Sequence, residues 1–90
     1  MNKDFEKAVR EIQKLQIVSA KKGHTMHVIL RKLKDTFHLD ATLFSGDSQV
    51  ILTVKEFQYD GKTAIQNMAD FIEEVTEYLK IEKEGQENGK

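Results

Sequence analysis

The chain contains no cysteine, no proline and no tryptophan. Without cysteine, disulfides, thiolate metal sites and a cysteine nucleophile are excluded. Long apolar runs are missing too. The longest, Val28-Ile29-Leu30 and Val50-Ile51-Leu52, hold three residues each. Neither a transmembrane helix nor a signal-peptide core fits in three residues. The five glycines are scattered, so there is no glycine-rich phosphate loop. These absences lead us to expect a soluble, cytoplasmic protein with no membrane association. The short chain, rich in lysine, glutamate and isoleucine, suits a bacterial or phage source.

What is present is a chain of 90 residues, 39% hydrophobic and 32% charged. That length suits one domain with one modest core, and the apolar content is too high for a disordered chain. The formal net charge of −1 hides a division. From Met1 to Lys34 there are nine Lys/Arg against three acids, and from Asp35 to Lys90 five against twelve. Two solvated faces of opposite sign account for this simply. A basic half could also attract an anionic partner or the acidic half of another copy. The pI near 6.3 argues against a domain specialised for nucleic acid, where values above about 9 are usual.

Apolar spacing predicts a helix over residues 3–22, where Phe5, Ala8, Val9, Ile12 and Leu15 recur at steps of three and four. Gly23 stands where a left-handed helix stop favours glycine. A second helix is predicted over 64–81 from Ile65, Met68, Ile72, Val75 and Leu79, with Thr63 and Gln66 at capping-box spacing and Gly61 just before them. Residues 83–90 (KEGQENGK) hold no apolar side chain, which predicts a disordered C-terminal tail after a single domain over 1–82.

The middle of the chain fits both a helix and strands, and pairing decides between them. A two-residue turn at Lys34-Asp35 and another at Gly46-Asp47 would build a three-stranded antiparallel meander over 25–33, 36–44 and 49–59. The rungs would then be Met26, Leu43 and Val50; Val28, Ala41 and Leu52; and Leu30, Leu39 and Val54. All nine are apolar and share one face. A helix over 25–37 would leave only two strands, which are marginal alone. The expected fold is therefore α+β, a two-layer α-β-β-β-α sandwich with both helices on one face of the meander.

The other face becomes the candidate working surface. It would carry Ile29, Leu33, Phe44, Ile51, Phe57 and Tyr59, an apolar set of the kind that marks interaction sites. In this register Arg31, His38 and Lys55 would form one basic rung. Three readings follow. The face contacts a second copy, making a homodimer, or another protein. The basic rung, with the N-terminal lysines, binds single-stranded nucleic acid or another anion, the aromatics stacking on bases. Or the sheet is merely solvated, with Arg31 pairing Asp40. The first is favoured: a non-enzymatic, self-associating interaction or regulatory module, with nucleic acid as the alternative.

Catalysis and metal binding find little support. His24 and His27 would point to opposite sides of a strand, and His27 and His38 would lie roughly 14 Å apart at ~3.4 Å per residue. Glu73, Glu74, Asp70 and Glu77 fall on the polar side of the last helix, while Ser45 and Ser48 flank a turn. No nucleophile, base and orienter come together. No enzyme activity, cofactor, metal or small-molecule substrate is expected.

The order of elements resembles that of double-stranded-RNA-binding domains. Those domains start the final helix with two adjacent lysines and a third three positions on. The stretch Gly61-Lys62-Thr63-Ala64-Ile65-Gln66 has one lysine, and the helix then turns acidic. Their first hairpin loop usually reaches out with a histidine, where this chain has the tight Lys34-Asp35. The resemblance is one of topology, and no activity is carried over from it.

Overall fold

The computed structural model describes residues 2–58 and 62–80. Along the chain run α1 (Lys3–Lys21), β1 (Thr25–Leu33), β2 (Thr36–Phe44), β3 (Val50–Phe57) and α2 (Lys62–Leu79). The strands form one antiparallel sheet in the order β1-β2-β3. This is the expected α+β sandwich. The expected tail, 83–90, and Tyr59 and Gly61 lie outside the described residues.

Local chemistry explains both ends of α1. The Asn2 side-chain carbonyl accepts from the backbone N–H groups of Asp4 (2.8 Å) and Phe5 (3.1 Å), two donors that the first turn leaves without helical partners. At the far end, His24 N–H donates to the Ser19 carbonyl (2.9 Å) and Gly23 N–H to that of Ala20 (3.2 Å). This is a Schellman stop, and Gly23 takes the positive φ of 85° it requires. The second helix starts earlier than its periodicity suggested. Thr63 lies inside the first turn, and the Gln66 side chain donates forward to Asp70 (2.9 Å). The capping box expected from Thr63 and Gln66 is therefore not formed.

Pairing of β1 with β2 follows the expected register throughout, from Thr25 opposite Phe44 to Leu33 opposite Thr36. Lys34 has a φ of 58°, so the tight Lys34-Asp35 turn places a non-glycine residue in the left-handed region. Pairing of β2 with β3 differs from expectation. The loop holds three residues, Gly46, Asp47 and Ser48. Ser48 N–H donates to the Ser45 carbonyl (2.9 Å), Ser45 N–H donates to that of Gln49 (2.8 Å), and Ser48 has a φ of 70°. A type I turn followed by a left-handed residue has this form. A bulge follows, because Phe44 pairs with Val50 but Leu43 pairs with Leu52, leaving Ile51 as the extra residue. Each irregularity alone would turn β3 over, and together they restore its facing. The rungs are thus Met26, Leu43 and Leu52, then Val28, Ala41 and Val54, then Leu30, Leu39 and Glu56. Val50, expected in the core, is 61% exposed.

The core lies between the sheet and the helices. Phe5, Ile12 and Leu15 from α1 and Met68, Phe71 and Val75 from α2 meet Met26, Leu39, Ala41, Leu43 and Val54. All five strand residues sit on one face of the sheet. The helices touch each other, α1 lying mainly over β1 and α2 over β3.

Candidate interaction surface

Strand alternation sends the remaining side chains to the face opposite the helices. Thr25, His27, Ile29, Arg31 and Leu33 come from β1, Thr36, His38, Asp40, Thr42 and Phe44 from β2, and Val50, Thr53, Lys55 and Phe57 from β3. Ile29 and Leu33 are 50% and 51% exposed, while Phe44 and Phe57 are half-buried. Ile51, at the bulge, is also half-buried and packs partly against the core. Of the six residues expected to make the interaction face, Ile29, Leu33, Phe44 and Phe57 share it. Ile51 is turned partly inward, and Tyr59 lies outside the described residues.

Aromatic pairs organise this face. The His38 ring meets Phe57 edge-on with centroids 4.3 Å apart, and His27 lies 4.9 Å from Phe44. At the hairpin end Leu33, Lys34, Thr36, His38 and Phe57 line a shallow depression. Between the aromatic pairs, the Thr42 and Thr53 hydroxyls share a hydrogen bond of 2.9 Å.

The basic rung is only half formed. Arg31 stands opposite His38, but the bulge moves Lys55 opposite Asp40 and puts Phe57 in the place expected for Lys55. The Arg31 guanidinium lies 3.4 Å from the Asp40 carboxylate. An exposed pair of this kind contributes at most about 1 kcal/mol. The carboxylate stands between the two cations and lowers the attraction this row holds for an anion.

The other candidate chemistry is dispersed. His24 packs edge-on against Tyr78 (5.5 Å), and His27 is spent on Phe44. Among the described residues no group of three His, Asp or Glu side chains could hold a metal ion. No described helix is long and apolar enough to cross a membrane.

Leu30, expected in the core with Leu39 and Val54, is 37% exposed. Alternation assigns it to the helix side with Leu39, yet it is partly exposed because β1 is an outer strand. The signal was available in the meander order, which leaves β1 without a neighbour on one side.

No protein-family model, curated protein or solved structure matches this chain.

Proposed function

We propose that this chain is a small, non-enzymatic interaction module of the cytoplasm that binds a second copy of itself through the open face of its sheet. The observation that carries this reading is the half exposure of Ile29 and Leu33 beside Phe44 and Phe57, on a face that takes no part in the helix-packed core. Apolar side chains left in water on a sheet face gain by packing against a second sheet about 10 Å away.

The size of the face sets the strength to expect. Nine residues at ~3.4 Å and three strands at ~4.8 Å give a surface of roughly 30 by 14 Å. That is about half the ~800 Å² per partner of a standard interface. Association is therefore expected to be weak, with a Kd on the order of 10–100 μM. The anion reading draws less support, because Asp40 sits between Arg31 and Lys55.

Sedimentation equilibrium from about 10 μM to about 1 mM brackets that range. The native chain should move from monomer towards dimer. A charge-neutral double variant, Ile29→Lys with Leu33→Glu, should stay monomeric with unchanged circular dichroism. The new lysine would face Asp40, so the sheet itself is not opposed. A native chain that remains monomeric across the range refutes the proposal, and so does a double variant that still dimerises.

A further inference from the structure

The open edge of β1 has a hydrogen-bonding pattern that can be worked out residue by residue. A two-residue hairpin turn is closed by a hydrogen-bonded pair, here Leu33 and Thr36. In an antiparallel ladder such pairs alternate with non-bonded ones. Arg31, Ile29 and His27 therefore direct their backbone groups to β2, and Lys32, Leu30, Val28 and Met26 direct theirs outward. An independent contact agrees with this. The Met26 carbonyl accepts from the Gln16 side chain of α1 at 3.0 Å, so it points away from β2. Among the described residues, no hydrogen bond from another part of the chain meets the outward groups of Val28, Leu30 and Lys32. These three consecutive outward positions form an unpaired template for another strand.

We infer that this edge takes an extended acidic segment of a protein partner as a fourth strand. The inference does not depend on the open face being the contact between copies. Three observations select the occupant. First, the strand and its turn carry Arg31, Lys32 and Lys34 against Asp35, and α1 above carries Lys3, Lys7, Arg10, Lys14 and Lys21 against Asp4, Glu6 and Glu11. The local field favours a negative arrival.

Second, a second copy does not fit. Antiparallel pairing of β1 with its own copy keeps both helix layers on the same side, with the two strands ~4.8 Å apart. Packed helices need 8–10 Å between axes. Because α1 lies over β1 and reaches its outer edge through Gln16, it would meet its own copy. A bare strand meets no such obstacle.

Third, both sides of the edge mix aliphatic and cationic side chains, with Arg31 between Ile29 and Leu33 on the open face and the partly exposed Leu30 next to Lys32 on the helix side. Ile29 and Leu33 flank the edge on the open face, and Lys32 flanks it on the helix side, its ammonium 5.7 Å from the centre of the Phe37 ring. The segment that fits intersperses apolar residues with carboxylates, the first meeting Ile29, Leu30 and Leu33 and the second meeting Arg31 and Lys32. This is strand addition, in which main-chain bonds supply affinity and alternate side chains supply selectivity.

The probe is a seven-residue peptide alternating valine and glutamate, with a matched valine–lysine peptide, added at about 1 mM to the full chain. The readout is backbone amide hydrogen exchange. The acidic peptide should slow exchange at Val28, Leu30 and Lys32 by about tenfold or more, and added salt should weaken the effect. Lys32→Pro removes an outward N–H that the sheet does not use, so it should abolish the slowing and leave self-association as in the native chain. Lys32→Glu keeps the N–H and should narrow the acidic peptide's advantage over the lysine peptide, so the question stays open to measurement should the proline variant not fold. No slowing with the acidic peptide, or equal slowing with both peptides, overturns the inference. Slowing that appears without peptide and grows with protein concentration also overturns it, because a second copy would then hold the edge.

Discussion

Replacing Ser19 by alanine should make this protein more stable. Ser19 is wholly buried in the last turn of α1, and its hydroxyl has no hydrogen-bond partner. Leaving a buried hydroxyl unpaired costs about 1–3 kcal/mol relative to a satisfied state. Serine is also a poorer helix former than alanine by a few tenths of a kcal/mol. The backbone role of the position, accepting from His24 N–H, is kept by any residue. Removing one oxygen leaves a void smaller than a methylene, so the packing loss is slight. The net gain should be about 1–2 kcal/mol. For a domain of this size that raises Tm by roughly 4–15 °C. Thermal unfolding followed by circular dichroism, with urea midpoints as a second measure, reads it directly. A loss of 1 kcal/mol or more would refute the reasoning, because it would show that the hydroxyl is satisfied in solution. The His24 ring is the neighbour to suspect, since its Nδ1 is also buried and unpartnered.

Two further substitutions test local structure. Asn2→Ala removes the acceptor for Asp4 N–H and Phe5 N–H and should cost about 0.5–2 kcal/mol in urea unfolding; an unchanged midpoint would mean the first turn is capped by other means. Ser48→Gly relieves a side chain held at a φ of 70° and should stabilise the β2–β3 hairpin by about 0.5–1 kcal/mol, whereas destabilisation would argue against the left-handed loop.

The fold was legible where sequence signals were redundant. Both helices have an apolar stripe, and β1 and β2 alternate across a turn too short to allow a second register. The β3 register was less legible for a specific reason. Gly46-Asp47 has the composition of a two-residue turn, but the chain uses Ser48 as a third loop residue, in a conformation that glycine or asparagine normally signals. Nothing in the Val50-Ile51-Leu52 run marks Ile51 as the bulge. Because the two irregularities cancel in facing, the inward and outward sets were nearly right while the rungs were displaced. That is why the open face was anticipated from Ile29, Leu33, Phe44 and Phe57, and why the Arg31-His38-Lys55 row was not realised. The free edge of β1 was missed because face-by-face reasoning attends to side chains, and the edge is made of backbone.

The paired irregularities at the β2–β3 tip carry a consequence for how this gene can vary. Inserting or deleting a single codon there would swap the greasy and wetted sides of the last strand, exposing Leu52 and Val54 and forcing Thr53 and Lys55 under the helices. Tolerated length changes at this tip should therefore come in twos, or as one gain matched by one loss nearby, whereas substitutions that keep the length leave this facing intact.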